Sequence, residues 1–419
     1  MNREEHLEAE AQLLDFGIRW YANKGTVGSN ADVSWKATDV PVPPFSGRGT
    51  QDFIHTIEYT GGLEQPNVPP LVLIHGYGFG AALYYASAPA LAQEWPGRIF
   101  SLDEPGCGLS SRPPWPHPHG HWCPLERAEA YFVDAIETWR EALGLETMVL
   151  VGHSIGGYIA AAYAERHPER IARLILASPA GVPTPPAGLA EAQAKAPVLL
   201  KVVRSLFARG WSPFLISKNF GIGRRALTGY MAKRHHDHDW IPKPLLISYL
   251  TGIWCRSPYG AGGHMMQALV TLAGAIPAGT QGEFVYARAP LADRLIPLAK
   301  IVPRVSLIYG EFDWMFWRNG ADVRARQEPG AEAPIDVLRV AQASHQQMID
   351  NPMGFVDAVL ATGLGTATDA IPIGAGFGQH YGAKAKIFER AAGEELPQDK
   401  DFITLWASED FDRMLRKRL

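Results

Sequence analysis

Short apolar runs recur along the chain, and segments with helical spacing separate several of them. Runs with the character of buried strands cover residues 53–59, 71–75, 98–102, 148–152, 173–177, 305–309 and 336–340. Helical patterns over 126–143 and 154–166 lie between some of these runs. Because strands that alternate with helices form a mostly parallel sheet with crossover connections, the pattern predicts the α/β class.

This alternation stops between about 181 and 300 and then resumes, which predicts a helical cap inserted over the strand ends. An amphipathic helix over 7–20, expected to pack on the body, and a Pro- and Gly-rich stretch around 39–50 precede the first strand. The predicted division of the chain is an N-terminal extension 1–50, a first core part 51–180, a cap insertion 181–300, a second core part 301–364 and a C-terminal extension 365–419.

The composition narrows the class of protein. A chain of 419 residues, 47% hydrophobic and 20% charged, can bury a large core. A net charge of -4 gives no reason to expect nucleic acid as a partner, and three scattered cysteines predict neither a disulfide framework nor a zinc site. The acidic start of the chain resembles neither a signal peptide nor a mitochondrial presequence. No apolar stretch is long enough to span a bilayer, so we expect an intracellular protein, cytoplasmic or peripheral on membranes.

The segment Gly152-His153-Ser154-Ile155-Gly156 follows an apolar run and precedes a helical pattern. A G-x-S-x-G sequence between a strand and a helix is typical of the nucleophile elbow of α/β hydrolases. Gly152 and Gly156 suit this turn because a Cβ atom would collide with the strand or the helix. The motif predicts an α/β-hydrolase fold, with a mostly parallel central sheet and an inserted helical cap, and Ser154 as its nucleophile.

A serine nucleophile needs a base to take its proton and an acid to orient that base. In this fold the acid and then the histidine follow the serine along the chain. Asp313 comes just after the predicted strand 305–309, and His345 comes just after 336–340. We expect His345 to be the base and Asp313 the acid, with Glu311 as the alternative acid.

Acyl transfer also needs two backbone N–H groups to bind the oxyanion of the tetrahedral intermediate. One is expected from Ile155 and the other from Tyr77, in the loop after the strand 71–75. Gly76 and Gly78 flank Tyr77 and let its backbone approach the substrate. His75 and the turn Asp103-Glu104-Pro105-Gly106-Cys107-Gly108-Leu109-Ser110 are expected to have structural roles.

Segments around these motifs resemble a family of lipid enzymes. The resemblance rests on 126–183, which contain the elbow, on 309–315 and 112–114, and more weakly on 251–260 and 287–295. It points to α/β-hydrolase-domain lipid enzymes, which include fungal cardiolipin-specific deacylase and lysophosphatidic acid acyltransferase, animal lyso-N-acylphosphatidylethanolamine lipase and the coactivator of adipose triglyceride lipase. Covering roughly 50–362, the resemblance implies a lipid ester substrate and makes the mitochondrion an alternative location.

The resemblance gives a possible meaning to two further features of the sequence. An H-x-x-x-x-D pattern, which the family associates with acyltransferase activity, is matched by His345 and Asp350. The favoured interpretation of Asp350-Asn351-Pro352 is instead an N-cap and first-turn proline of a helix over 352–361, because His345 is already needed as the base. The coactivator branch carries asparagine at the nucleophile position, whereas this chain keeps Ser154, which argues against a purely non-catalytic role.

The predicted cap has an unusual charge. Residues 192–236 contain no acidic residue and nine basic ones. The basic residues are Lys195, Lys201, Arg204, Arg209, Lys218, Arg224, Arg225, Lys233 and Arg234. The aromatic residues Phe207, Trp211, Phe214 and Phe220 are interleaved with them. We expect Arg224, Arg225 and Trp211 to contact anionic lipid, and an ordinary solvated surface is the alternative. The run 235–239 could bind metal, but a surface loop is favoured.

These observations predict a serine hydrolase that cleaves acyl esters of (lyso)phospholipids through an acyl-enzyme, without a metal or other cofactor. Cardiolipin or N-acylphosphatidylethanolamine types are candidate substrates. A lysophosphatidic acid acyltransferase that uses the same site, a small-ester esterase or peptidase, and a non-catalytic lipase regulator are the alternatives. The expected partners are a lipid substrate and an anionic membrane or lipid droplet surface. The sequence leaves the oligomeric state open.

Overall fold

One mixed sheet is the centre of the computed structural model, which describes residues 1–23, 33–45, 51–62, 65, 67–113, 123–208, 223–234, 238–256, 268–272, 285–328, 335–364 and 386–387. The strands are β1 Ser34–Val42, β2 Asp52–Thr60, β3 Leu71–Ile74, β4 Ile99–Leu102, β5 Met148–His153, β6 Ile171–Ala177, β7 Val270–Leu272, β8 Val285–Ala287, β9 Val305–Gly310, β10 Asp336–Val340 and β11 Lys386–Ile387. The sheet has the order β1-β2-β4-β3-β5-β6-β9-β10-β11, and β7 pairs with β8 separately.

Strands β4 through β10 in this order are parallel, and antiparallel pairs close both ends of the sheet. The helices are α1 Arg3–Asn23, α2 Ala88–Glu94, α3 Leu125–Ala142, α4 Ile155–Arg166, α5 Leu189–Lys195, α6 Val198–Ala208, α7 Gly223–Arg234, α8 Lys243–Arg256, α9 Leu291–Leu298, α10 Trp317–Ala325, α11 Gln347–Asp350 and α12 Pro352–Gly363. Apolar side chains fill the space between the sheet and the helices on both of its faces. The predicted mostly parallel sheet is confirmed.

All seven predicted strands are present, and their ends differ from the prediction by at most two residues. The sequence missed β1, which occupies part of the region assigned to an N-terminal extension with a Pro- and Gly-rich stretch. This strand pairs only with β2 among the described strands, and most of its side chains are exposed or half-buried. An edge strand needs little apolar surface and tolerates a proline such as Pro41, so its pattern is weak.

Helix α1 packs on the body, as predicted, and is longer than the predicted 7–20. Asn2 Oδ1 accepts a hydrogen bond from Glu5 N at 2.9 Å, and Glu5 Oε2 accepts one from Asn2 N at 2.8 Å. This reciprocal capping box explains where the helix begins. An ideal Cβ on Gly252 would lie 2.3 Å from the ring of His6, so α1 lies directly against α8.

The 181–300 segment leaves the sheet after β6 and returns to it at β9. Its described part contains α5 to α9 and the β7–β8 pair, so the predicted helical character is present together with a short hairpin-like pair that the sequence missed. The role of this segment as a cap stays a prediction, as do the other proposed boundaries. None of the helices formed by the described residues is both long enough and apolar enough to cross a membrane.

Candidate active site

Ser154 lies at the carboxyl end of β5, in the turn that leads into α4. Its backbone has φ 56° and ψ -120°, a left-handed conformation that is rare for a residue with a side chain. An ideal Cβ on Gly152 would lie 2.4 Å from Gly156 O, and one on Gly156 would lie 2.3 Å from His75 O. Both contacts are far too short, so the two glycines are required for the tight strand-to-helix turn.

His345 lies in the loop after β10 and reaches across to Ser154. The distance between His345 Nε2 and Ser154 Oγ is 3.0 Å, which is hydrogen-bond distance. Both side chains are buried, with 9% of Ser154 and 5% of His345 exposed. The Trp314 ring packs beside the His345 ring, with 4.7 Å between their centroids, and limits the orientation of the imidazole.

Asp313 follows β9 and holds the other nitrogen of His345. The distance between Asp313 Oδ1 and His345 Nδ1 is 3.0 Å, and the same oxygen accepts a hydrogen bond from Met315 N at 2.9 Å. Glu311, the alternative acid, instead accepts a hydrogen bond from Gln342 N at 2.9 Å through Oε2. The structure therefore brings Ser154, His345 and Asp313 into one hydrogen-bonded chain and directs Glu311 elsewhere.

The loop after β3 approaches Ser154 closely. An ideal Cβ on Gly76 would lie 2.8 Å from Ser154 Cβ, so only glycine fits there and Tyr77 follows directly beside the serine. Gly78 has φ 83°, which favours glycine at the next turn position. Ile155 is the first residue of α4, and first-turn N–H groups of a helix have no partner within the helix. These positions suit two oxyanion donors, and that role stays a prediction.

His75 and Asp103 tie the loops behind the site together. The two hydrogen bonds of the His75 ring join Nδ1 to Gly76 O at 2.8 Å and Glu104 N to Nε2 at 3.3 Å. Asp103 accepts hydrogen bonds from Leu109 N and Ala81 N, each at 2.6 Å. Both residues are fully buried, and these contacts confirm the expected structural roles.

A metal site was not predicted, and one described group has suitable ligand types. The ligand atoms of His75, Glu104 and Cys107 all lie within 4.8 Å of one another, and the three residues are buried. However, one nitrogen of His75 donates to a carbonyl and the other accepts from an amide, so no lone pair is left for a metal. The 235–239 run lies largely outside the described residues.

The sequence missed the role of His153, which precedes the serine in the elbow. His153 Nε2 lies 2.8 Å from the backbone oxygen of His345 and donates a hydrogen bond to it, although 192 positions separate the two residues. Burial lowers the pKa of His153 well below its usual value, and the nearby His345 lowers it further. The only signal in the sequence is a titratable side chain at the end of an otherwise apolar strand.

Asp350 and Asn351 have different tasks. Asn351 Oδ1 accepts a hydrogen bond from Gly354 N at 2.9 Å and caps α12, whose first residue is Pro352, as predicted. Asp350 Oδ2 accepts hydrogen bonds from both N and Oγ of Ser344, the residue before His345. The described contacts of Asp350 therefore support the loop that carries His345.

The residues expected at a lipid surface are only partly described. Arg224 and Arg225 lie on α7, and both are exposed. Trp211 lies outside the described residues. The structure places the two arginines at the surface, and their contact with lipid stays a prediction.

Comparisons with known proteins concern the family and the fold of this chain. A family model described as alpha/beta hydrolase fold matches residues 69–208. The probable 1-acylglycerol-3-phosphate O-acyltransferase of Oryza sativa subsp. japonica is 30% identical over 370 residues, which are 84% of this chain and 79% of that protein. The (lyso)-N-acylphosphatidylethanolamine lipase of Mus musculus is 30% identical over 301 residues, 69% of this chain and 77% of that protein.

The fold is also that of a solved esterase. The carboxylesterase CesB (YbfK) of Bacillus subtilis superposes with a TM-score of 0.50 at 18% identity and covers 86% of this chain and 98% of its own. At that identity the likeness concerns the fold alone. The family resemblance and the fold predicted from the sequence are thus confirmed. This chain belongs to the α/β-hydrolase-fold family of lipid enzymes whose relatives include 1-acylglycerol-3-phosphate O-acyltransferases and (lyso)-N-acylphosphatidylethanolamine lipases.

Proposed function

We propose that this protein is a serine hydrolase that cleaves the acyl esters of (lyso)phospholipids. The main support is the geometry of three side chains. Ser154 Oγ lies 3.0 Å from His345 Nε2, and His345 Nδ1 lies 3.0 Å from Asp313 Oδ1. The relatives support the substrate class, since one is named a (lyso)-N-acylphosphatidylethanolamine lipase and another an acylglycerol-phosphate acyltransferase.

In the proposed mechanism, His345 Nε2 takes the proton of Ser154 Oγ as Oγ forms a bond to the ester carbonyl carbon. The N–H groups of Ile155 and Tyr77 bind the resulting oxyanion, and the Asp313 carboxylate stabilises the imidazolium. The bond from the carbonyl carbon to the lipid oxygen then breaks, and the imidazolium protonates that oxygen. His345 then takes a proton from a water molecule as that water attacks the acyl carbonyl carbon. The bond from this carbon to Ser154 Oγ breaks, the imidazolium returns the proton to Oγ, and the fatty acid leaves.

Acyl transfer to a second lipid is the other candidate activity. It uses the same acyl-enzyme and replaces water by a lipid hydroxyl, and the acyltransferase names among the relatives favour it. The H-x-x-x-x-D pattern of His345 and Asp350 fits this activity only indirectly, because Asp350 bonds to Ser344. Which acceptor dominates depends on whether water or a lipid hydroxyl reaches the acyl-enzyme first.

We also propose that the protein binds anionic membranes through the exposed Arg224 and Arg225 on α7. Each cation near an anionic surface contributes about 1 kcal/mol, so two charge reversals remove a substantial attraction. The double variant Arg224→Glu/Arg225→Glu should sediment less with vesicles that contain phosphatidylglycerol. The double variant Lys36→Glu/Lys300→Glu, which reverses two exposed charges on β1 and just after α9, is the matched control. Equal sedimentation of both variants would reject this surface.

Lipid-resolved mass spectrometry tests the proposed chemistry. Wild type, Ser154→Ala and the control Ser34→Ala, at an exposed serine on β1, are incubated with mixed (lyso)phospholipids and an isotope-labelled acyl donor. The proposal expects labelled free fatty acid, or labelled diacyl lipid for transacylation, from wild type and Ser34→Ala but not from Ser154→Ala. Unchanged turnover by Ser154→Ala would reject it.

Turnover of short-chain esters alone would instead favour a small-ester esterase, and stimulation of another lipase without turnover would favour a regulator.

A further inference from the structure

Helix α6 exposes a row of large apolar side chains to solvent. The exposed fractions are 76% for Val198, 42% for Leu199, 47% for Val202 and 41% for Val203. Positions i, i+1, i+4 and i+5 lie on one side of a helix, so these four residues form a continuous apolar stripe. Elsewhere in the part of the chain that the structure describes, the exposed large apolar side chains are Met1, Ile301 and Phe312.

The opposite side of α6 holds the helix to the protein. Phe207 is buried, and Arg204 Nη2 donates a hydrogen bond to Gln193 Oε1 at 2.6 Å. Arg204 and Phe207 also line a cleft of about 500 Å³ between α6 and the segment that carries α5. Since this inner side already anchors the helix, the apolar stripe is a second apolar face without a described covering. An exposed apolar face of this kind is unusual on a globular protein and is typical of an interaction site.

The charge around the stripe indicates what it contacts. Lys195 and Lys201 are exposed next to it, and residues 192–236 contain no acidic side chain. An apolar stripe flanked by cations is the arrangement of helices that lie in the interface of an anionic membrane. The lysine ammonium groups then lie at the level of the headgroups while the apolar side chains reach the acyl region.

The connection of α6 to the sheet supports a lipid surface as the occupant. The chain leaves β6 at Ala177, whose oxygen accepts a hydrogen bond from Ser154 N at 2.9 Å, and Ala180 N donates to Ser154 O at 2.9 Å. The segment that carries α6 therefore starts beside the serine. An enzyme for lipid esters needs its substrate delivered from a lipid surface to this edge of the sheet.

From these observations we propose that the stripe Val198, Leu199, Val202 and Val203 inserts into the surface of an anionic lipid layer. This inference rests on the proposed lipid ester activity for its purpose but concerns a different part of the chain. It differs from the proposed electrostatic contact of α7, because insertion depends on apolar area and persists at salt concentrations that screen charge.

Sedimentation with vesicles of phosphatidylcholine and phosphatidylglycerol tests the insertion. The double variant Val198→Ser/Val202→Ser should lower the partition coefficient about tenfold, since even partial burial of two valine side chains is lost. Ile301→Ser, at an exposed apolar residue outside the stripe, is the matched control and should bind like wild type. Wild-type binding by the stripe variant would overturn the proposal.

Two further measurements separate the possible failures. Hydrolysis of soluble p-nitrophenyl butyrate should be unchanged in Val198→Ser/Val202→Ser, and Ser154→Ala should bind vesicles like wild type, so binding and chemistry are tested independently. Light scattering without lipid should give the same molar mass for wild type and the stripe variant. If wild type instead forms a dimer that the stripe variant abolishes, with vesicle binding unchanged, the stripe is a self-association surface and the proposal is wrong.

Discussion

His153 Nε2 donates a hydrogen bond to the backbone oxygen of His345 at 2.8 Å, and the centroids of the two rings are 4.9 Å apart. A carbonyl oxygen can only accept, so the proton of His153 lies on Nε2. Burial lowers the pKa of His153, which keeps the ring neutral beside His345. The residue before the nucleophile thus holds the backbone of the proposed base in place.

We predict that His153→Leu lowers kcat for lipid ester hydrolysis by about 10- to 100-fold, because a shift of about 1 Å in His345 misaligns the proton transfer. KM should change little, since His153 does not lie in the proposed substrate contacts. His153→Gln, which can still donate to the carbonyl, should recover most of kcat. Steady-state kinetics with thermal melts of each variant measure this, and equal kcat for Leu and Gln variants would argue against a positioning role.

Asp313 and Glu311 offer a matched pair of acids two residues apart. Asp313→Asn removes the charge that stabilises the imidazolium and favours the wrong tautomer of His345, so kcat should fall by about 10³- to 10⁴-fold. Glu311→Gln should leave kcat within about twofold, because Glu311 bonds to Gln342 on the neighbouring loop. Steady-state kinetics of both variants on one lysophospholipid decide the assignment, and a larger loss in Glu311→Gln would reverse it.

His55 lies between two carboxylates and couples α1 to the sheet. Its Nε2 lies 2.8 Å from Glu10 Oε1 and its Nδ1 lies 2.9 Å from Asp39 Oδ1. Burial alone would lower the pKa of His55, but these carboxylates raise it to about 10. Because the folded pKa exceeds the ordinary value of 6.5, the stability from this ionisation is present in full below that value and is lost as the pH rises towards about 10.

His55→Gln should therefore lower the free energy of unfolding by about 3 kcal/mol at about pH 6, since Glu10 loses its charged partner, and by clearly less at about pH 10. Urea denaturation at these two pH values measures the difference. The partly exposed His167→Gln is the control and should change stability little at either pH. The same large loss at both pH values would contradict a protonated His55 in the fold.

Glu104 is fully buried, and neither of its carboxyl oxygens has a hydrogen-bond partner among the described residues. Burial raises the pKa of Glu104 well above its usual value, and the neighbouring Asp103 raises it further. Because the pKa of Glu104 is higher in the folded than in the unfolded chain, its ionisation does not reduce the free energy of unfolding below the ordinary carboxyl pKa. As the pH rises from there towards the folded pKa, the unfolded chain ionises first and the free energy of unfolding falls. Glu104 therefore works against folding in alkaline solution.

Glu104→Gln keeps the shape and removes the ionisation, so its advantage in free energy of unfolding over wild type should grow with pH. The slope can reach about 1.4 kcal/mol per pH unit between the two pKa values and then levels off. Chemical denaturation of both proteins at pH values from about 5 to 9 measures this slope. The exposed Glu146→Gln is the control and should show none. A difference that does not depend on pH would rule out a neutral, buried Glu104.

The sequence predicts those parts of the fold that depend on local patterns. The elbow glycines, the strand ends before Asp313 and His345, and the buried strands all leave a local signature, and the structure matches each. The bond from His153 to His345 and the pairing of Glu10 with His55 join positions 192 and 45 residues apart, so no local pattern records them. Strand β1 escaped for the opposite reason, since an exposed edge strand has too few apolar residues to stand out.

In the proposed function, Ser154 is the residue that accepts the acyl group. A fluorophosphonate probe tests it directly, because an activated serine Oγ displaces fluoride from phosphorus and stays covalently labelled. Peptide mass spectrometry of the labelled protein should find one modified residue, Ser154, and lysophospholipid hydrolysis should fall in proportion to labelling. Ser154→Ala and His345→Ala should not be labelled. Full hydrolysis by protein that is completely labelled at Ser154, or loss of hydrolysis through labelling of another residue, would contradict the assignment of Ser154 as the nucleophile.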